Sequence, residues 1–189
     1  MNYSAIKYCD IANGIGVRTT LFVSGCQRHC PFCFNQEAAD FEAGKPFDEA
    51  TQEQILDSME PPYVDGFSIL GGEPMERRNQ AAVADFLERV RERFPHKNIW
   101  LYSGFTWEEL RGKRPAAAPY KESPVTEDTK RILGLLDVLV DGPFVQEKKD
   151  ISLRFRGSEN QRLIDVPESL KQDRAVLWHD DPLYETHTM

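Results

Sequence analysis

The chain has 189 residues, with 23 Lys and Arg against 31 Asp and Glu, and a net charge of −8. This length suits one domain with one buried core, and a composition that is 40% hydrophobic and 11% aromatic argues against global disorder. The acidic balance counts against nucleic-acid binding as the main function. No apolar run approaches the roughly 20 residues that cross a membrane, and the start lacks a basic-then-apolar signal sequence. We therefore expect a soluble, cytoplasmic protein with neither nucleic acid nor membrane as its partner.

The first half of the chain predicts two strands and a helix. A β-branched, apolar segment at 18–24 predicts a buried strand that runs into a cysteine-rich loop. Thr51–Gln54 has the spacing of a capping box, which predicts a helix from there to Met59. Phe67–Leu70 predicts the next strand, which two glycines stop.

The second half continues the alternation. Apolar residues at 3.6-residue spacing predict a helix over 79–94, and a strand is expected at 99–102. A second capping box at Thr106–Glu109 predicts a short helix. A helix at about 127–136 then leads to a strand at 138–140, and 163–166 is compatible with a further strand.

Strands separated by helices predict βαβ units and a largely parallel sheet. We count four to six such units, whereas a closed barrel has eight and typically needs about 250 residues. The predicted fold class is therefore α/β, an open and incomplete (β/α) barrel. Residues 1–189 are expected to form a single domain, with an exposed Pro/Ala-rich insertion at about 112–124 and a loose tail from about 172.

The cysteines indicate the chemistry. Cys26, Cys30 and Cys33 are spaced C-x3-C-x2-C directly after the first predicted strand. A structural zinc site usually has four protein ligands in two pairs, and neither His29, Cys9 nor His179 supplies a second pair. A [4Fe–4S] cluster held by three thiolates instead leaves one iron open to a substrate or cofactor. The spacing favours the cluster and leaves zinc as the alternative; Cys9 is expected to be a buried or half-buried thiol.

A second motif, Gly71-Gly72-Glu73-Pro74, follows the strand at 67–70. Paired glycines let the backbone turn sharply and approach a ligand without interference from a Cβ atom. Carbonyl groups there, with Glu73 nearby, suit the ammonium group of a ligand. The alternative is a simple turn between a strand and a helix.

Together these motifs resemble the radical S-adenosylmethionine superfamily, whose signature is this cysteine spacing with an aromatic residue, here Phe32, before the last cysteine. Gly71–Glu73 matches the position of the superfamily's GGE motif. A narrower resemblance, to the anaerobic ribonucleoside-triphosphate reductase activating proteins, spans about 5–165. It rests on four blocks: Asp10–Cys26, Tyr102–Phe105, Asp137–Phe144 and Phe155–Arg162. The 112–124 stretch and the tail fall outside the family's usual short form.

The resemblance implies an enzyme with a [4Fe–4S] cluster and S-adenosyl-L-methionine as cofactors. One electron, from a donor such as flavodoxin or ferredoxin, cleaves S-adenosylmethionine and gives a 5′-deoxyadenosyl radical. That radical takes a hydrogen atom from a glycine of the partner, an anaerobic ribonucleoside-triphosphate reductase. An open barrel would let the partner's glycine loop reach the cofactor.

The resemblance also implies roles for individual residues. The iron ligands, and hence the catalytic residues, are Cys26, Cys30 and Cys33. The remaining cofactor contacts expected from the family and from strand ends are Phe32, Cys33, Phe34, Gly71, Gly72, Glu73, Ser103 and Asp141. Phe32 and Phe34 would flank the cluster, with Phe32 near the adenine. Ser103 and Asp141 end strands where parallel α/β sites assemble, although a cap serine and a turn aspartate are the structural alternatives.

A local excess of positive charge has two interpretations, a solvated face or contacts to the cofactor carboxylate and the reductase. It comprises Lys148, Lys149, Arg154, Arg156 and Arg162. The four histidines, His29, His96, His179 and His187, are expected to be surface or structural residues.

Three alternative functions stay open. One is an activase of pyruvate formate-lyase or another glycyl-radical enzyme. A second is a 7-carboxy-7-deazaguanine synthase, which is disfavoured because that family inserts a long stretch after its first cysteine. The third is a zinc-stabilised binding module without catalysis.

Overall fold

The computed structural model describes residues 1–33 and 35–179, and within them seven strands form one sheet. The strands are β1 (Asn2–Asp10), β2 (Arg18–Val23), β3 (Lys45–Pro46), β4 (Gly66–Gly71), β5 (Asn98–Ser103), β6 (Val138–Asp141) and β7 (Arg162–Asp165). The helices are α1 (Glu49–Ser58), α2 (Arg77–Arg93), α3 (Trp107–Leu110), α4 (Glu127–Leu135) and α5 (Val166–Gln172). The protein is thus a mixed α/β structure built on an open sheet.

The order of strands across the sheet is β3-β1-β2-β4-β5-β6-β7. The four strands β2, β4, β5 and β6 pair in parallel, whereas the pairings of β1, β3 and β7 are antiparallel. The prediction of a largely parallel sheet therefore holds for the centre and is wrong for the edges. Parallel neighbours need a crossover, usually a helix, but only a short 3-10 turn, Gln146–Lys148, is assigned between β6 and β7. The chain accordingly returns antiparallel.

Both faces of the central strands are covered. Alternate residues such as Leu21, Ile69 and Leu101 pack with the apolar sides of α1, α2 and α4 in the main core. On the opposite face Trp100 and Val140 form a smaller cluster.

Most predicted elements are confirmed within a few residues, and one helix start is wrong. The capping box at Thr106 is present, with Thr106 N–H donating to Glu109 Oε2 at 2.7 Å. Helix α1, however, begins at Glu49 instead of near Thr51, and its cap is Asp48, which accepts from Thr51 N–H at 2.8 Å. Aspartate is as good an N-cap as threonine, and it comes three residues earlier.

The C-terminal region differs from expectation in two ways. The strand compatible with 163–166 is Arg162–Asp165, and Val166 already begins α5. The chain after about 172 is not loose at its beginning, because Trp178 N–H donates to Leu163 O at 2.8 Å and its ring contacts Trp100. Asp180–Met189, also assigned to the tail, lies outside the described residues.

Arg18 connects three strands at their N-terminal ends. Its side chain is fully buried and donates to Ser68 Oγ, Phe67 O and Ile15 O at 2.7–2.9 Å, and to Asn98 Oδ1 at 2.5 Å. Burial lowers the pKa of the guanidinium to about 10. Arg18 thus links the starts of β2, β4 and β5.

None of the helices within 1–33 and 35–179 combines the length and the apolar character that a membrane-spanning segment needs.

Candidate cofactor site

A cavity of about 330 Å³ opens at the carboxyl ends of the parallel strands. This is the edge at which parallel α/β sheets assemble their sites. The residues that line it are Cys26, Arg28, His29, Cys30, Cys33, Asn35, Gln36, Ala39, Leu70, Gly71, Gly72, Glu73, Tyr102, Ser103, Gly104, Gly142, Pro143, Phe144 and Gln161. The three clustered cysteines, the glycine turn and Ser103 thus meet in one place.

The cysteine loop leaves β2 through Gly25. Gly25 has φ +96°, and a Cβ there would lie 2.2 Å from the ring of Phe41, so only glycine fits without rearrangement. The N–H groups of Gly25 and Cys26 donate to Ala38 O and Ala39 O at 2.7 and 2.9 Å. The start of the loop is therefore anchored on the 3-10 turn that follows it.

The three cysteines carry free, partly exposed thiols. Burial raises the pKa of Cys26 to about 11 and also raises that of Cys30, so both thiols are protonated near neutral pH and would lose protons on binding iron. Among the described residues no group of three or more His, Cys, Asp or Glu lies close enough to hold a single metal ion. A four-ligand zinc site is thus not assembled there. Three thiols around one cavity fit a cluster, in which each thiolate binds a different iron.

The turn after β4 is tied to the cysteine loop by its backbone. Gly71 has φ +113°, Gly72 N–H donates to Val23 O at 2.7 Å, and Glu73 N–H donates to Gly25 O at 2.8 Å. A Cβ at Gly72 would lie 2.6 Å from Gly25 O and 2.8 Å from Ala38 O. The turn and the loop therefore share one wall of the cavity, and they cannot move independently.

Gly72→Ala is expected to lower the free energy of unfolding by about 1–3 kcal/mol, because the new methyl group must displace two backbone carbonyls. Urea denaturation measures the change. Gly134→Ala in α4 is the matched control, since nothing lies within 4 Å of the added methyl group. That control should raise the stability by about 0.4–1 kcal/mol. Equal changes in the two variants would contradict the tight packing at Gly72.

Glu73 is 2% exposed, and its carboxylate is engaged by the protein. Oε1 accepts from Met75 N–H and Ser103 Oγ, both at 2.9 Å, and Oε2 accepts from Gly104 N–H at 2.7 Å. Burial raises the pKa of Glu73 to about 7, against the opposing effect of these hydrogen bonds and of Arg28. Glu73 thus joins the end of β4 to the end of β5, and it places a partly ionised carboxyl group at the cavity.

Ser103 and Asp141, both predicted to contact a cofactor, differ in position. Ser103 lines the cavity and donates to Glu73. Asp141 is fully buried and accepts from Arg162 Nη2 at 2.6 Å and from Trp107 N–H at 2.7 Å. Asp141 therefore has the structural role that was the alternative to cofactor binding, because it holds α3 and β7 in place. Its neighbour Gly142 lines the cavity.

Phe32, the aromatic residue of the loop that the structure describes, does not line the cavity. Phe32 has φ +60°, and its side chain is 72% exposed. Among the described residues that line the cavity, neither Phe32 nor Asp141 is found. Phe34 lies outside the described residues.

Sequence reasoning overlooked several cavity residues. Arg28 and Tyr102 line it, and the hydroxyl oxygen of Tyr102 is buried with no hydrogen-bond partner among the described residues. Phe144 and Gln161 also line it. Their positions in the sequence could have indicated them. Tyr102, Phe144 and Gln161 lie in the blocks that carry the family resemblance, and Arg28 lies between two cysteines.

The basic residues and histidines are dispersed. Arg162 pairs with Asp141 and Glu108, which makes it structural. Arg156 donates to Gln161 O at 2.9 Å. Lys148, Lys149, His96 and His179 are exposed, as is His29 beside the cavity, while His187 lies outside the described residues.

The expectation of a buried or half-buried Cys9 is wrong. Cys9 is exposed, with φ +53°, where the register between β1 and β2 shifts between Lys7 and Asp10. Such an irregularity changes the direction in which side chains point, and neither the composition nor the residue spacing of the segment predicts the irregularity.

The geometry can be compared with known proteins. Residues 12–164 match the family model described as a 4Fe-4S single cluster domain. The chain is 40% identical over 165 residues to the anaerobic ribonucleoside-triphosphate reductase-activating protein of Pasteurella multocida, a match that covers 85% of this chain and 95% of that protein. It is 36% identical over 163 residues to the protein of the same name from Escherichia coli K12, with 85% and 96% covered. A 31% identical relative of the same name comes from Enterobacteria phage T4, with 86% and 93% covered.

Proposed function

The chain belongs to the family of anaerobic ribonucleoside-triphosphate reductase-activating proteins, and from this premise we propose that it generates the glycyl radical of such a reductase. The observation that carries the proposal is the meeting of Cys26, Cys30 and Cys33 with the Gly71–Glu73 turn in one cavity. The three thiols would hold the cluster, which when bound would supply the one-electron chemistry that cleaves S-adenosylmethionine and allows a hydrogen atom to be removed from the partner's glycine. The other sequence-based alternatives, a small-molecule synthase and a zinc module, have no such support.

The residues around the cavity have separate roles in this proposal. The three thiols hold the cluster and leave one iron without a protein ligand, in keeping with a donor set of three. The turn at Gly71–Glu73 receives the ammonium group of the methionine moiety. Ser103 fixes Glu73 and through it the turn. Tyr102 and Phe144 line the cavity, and their rings would limit the access of water to a reactive radical on that side.

We assign the detailed fold type from the same family. The sheet is an open, incomplete (β/α) barrel of the radical S-adenosylmethionine type, and the described residues, 1–33 and 35–179, belong to one domain. The strand order supports this assignment, because among the described residues β3 and β7 lie at opposite edges of the sheet and do not pair to close a barrel. The open side gives a protein loop access to the cofactor. The electron comes from a one-electron donor such as flavodoxin or ferredoxin, as in the family resemblance.

The test combines metal content with radical formation. Protein purified without oxygen should be brown and contain about four irons per chain. After reduction and mixing with S-adenosylmethionine and an anaerobic ribonucleotide reductase, it should produce a doublet in the electron paramagnetic resonance (EPR) spectrum of the reductase. Pyruvate formate-lyase, treated identically, should give none.

Two results would contradict the proposed function. A doublet in pyruvate formate-lyase but not in the reductase would assign the chain to a different glycyl-radical enzyme. Colourless protein with bound zinc and no cleavage of S-adenosylmethionine would favour the binding module.

A further inference from the structure

Arg28 places a positive charge at the cavity. It lies between Cys26 and Cys30 in the cysteine loop, and among the described residues that line the cavity it is the only Lys or Arg. The guanidinium of an arginine is a delocalised cation with several N–H donors in a fixed plane.

The side chain of Arg28 is held by aromatic rings. The guanidinium carbon lies 5.0 Å from the ring centroids of both Phe105 and Tyr120. A Cβ at residue 104 would lie 2.5 Å from Arg28 Nε, so the glycine there makes room for this arrangement. The position of the charge is therefore built into the fold, and it is not that of a surface side chain which moves freely.

The ring of Tyr120 is itself fixed. Its hydroxyl donates to Glu76 Oε1 at 2.7 Å, and the same carboxylate accepts from Gln27 N–H at 2.8 Å. The ring that supports Arg28 is thus linked to the residue that precedes Arg28 in the loop.

The guanidinium has unused donors. Nε and Nη2 are buried and have no hydrogen-bond partner among the described residues. The nearby carboxylate of Glu73 already accepts from Met75, Ser103 and Gly104. Buried donors without a partner are costly, and the aromatic rings offset only part of that cost, so an anion that enters the cavity is favoured beside this guanidinium.

We propose that Arg28 balances the negative charge which the three thiolates bring when they bind the cluster, and that it thereby raises the cluster's reduction potential. This inference rests on the proposed function and deepens it. In the step concerned, a one-electron donor transfers an electron to the cluster, no bond forms or breaks, and Arg28 keeps its protons. Because reduction adds one negative charge to the cluster, a fixed cation nearby favours the reduced form.

The test is a redox titration of Arg28→Gln, Arg28→Lys and the native chain. All are reconstituted with iron and sulfide without oxygen, and the EPR signal of the reduced cluster is followed with dithionite as the reductant. S-adenosylmethionine and the reductase are left out, so that the readout is the potential and not the activity. Lys130→Gln, which removes an exposed positive charge on α4, is the matched control.

At a fixed applied potential the ratio of reduced to oxidised cluster should fall about tenfold in Arg28→Gln, a shift of ~59 mV for a one-electron couple. Arg28→Lys and Lys130→Gln should stay within about threefold of the native ratio. If Arg28→Gln loses the cluster but Arg28→Lys retains it, the charge is needed for retention, which also supports the proposal.

Equal potentials in the native chain and in Arg28→Gln, with clusters in both, would overturn this inference alone. Equal loss of the cluster from both Arg28 variants would overturn it too, since the charge would then not be what matters. A native chain that assembles no cluster would instead overturn the proposed function and this inference with it.

Discussion

Replacing any one of Cys26, Cys30 and Cys33 by alanine is expected to abolish cleavage of S-adenosylmethionine. Three thiolates are the smallest set that holds a [4Fe–4S] cluster while leaving one iron open, so the loss of one ligand destabilises the whole cluster. Iron content, the absorption of the reconstituted protein and the yield of 5′-deoxyadenosine measure the effect. All three should fall together, because without the cluster the donor's electron cannot be passed to S-adenosylmethionine.

Cys9→Ala is the matched control, because it removes the fourth thiol of the chain from an exposed site on β1. Its iron content and its yield of 5′-deoxyadenosine should equal those of the native protein. An inactive Cys9 variant would mean that this thiol contributes to the cluster. Normal turnover by any variant of the other three cysteines would remove the basis of the assigned site.

Arg18→Met is expected to lower the free energy of unfolding by about 3–5 kcal/mol. Methionine roughly fills the space of the side chain but leaves the carbonyl groups of Ile15 and Phe67 without their donors, along with Ser68 Oγ. Each buried acceptor left unpaired costs about 1–3 kcal/mol. Chemical denaturation in urea measures the loss, and the denaturant slope should stay unchanged.

Arg131→Met in α4 provides the comparison. Arg131 also makes several bonds, to Asp85, Glu88 and Asp128, but on an exposed surface where water replaces them readily. The variant should therefore unfold at nearly the native urea concentration. If the two arginine variants were equally destabilised, burial would not be the reason for the importance of Arg18.

The elements with a strong local signal could be predicted from the sequence. Helix α2 was found because Val83, Phe86, Leu87 and Val90 recur on one face, and they are all buried. The short helix α3 was found because its capping box lies within four residues, from Thr106 to Glu109. The three cysteines and the glycine turn were found for the same reason, since each is a local pattern with a chemical requirement.

What depends on distant partners could not be predicted. Strand β1 pairs with β2 on one side and with only two residues of β3 on the other. Its side chains are mostly half-buried or exposed, so its sequence lacks the apolar alternation that marks a strand. Asp141 ends a strand at the expected edge, yet its carboxylate is taken by Arg162, a residue 21 positions away. Arg28 was overlooked because its importance comes from Phe105 and Tyr120, far along the chain.

The contact between Tyr120 and Glu76 has a practical consequence. Tyr120 belongs to the stretch 112–124, which is largely exposed, whereas Glu76 supports the backbone of the cysteine loop. The loop is thus stabilised in part by a largely exposed stretch that contacts the main core through Ala116 and Tyr120. Shortened versions of this protein that lack the stretch lose a support of the cysteine loop as well as core contacts, so their colour, which reports the cluster, should be measured alongside their melting temperature.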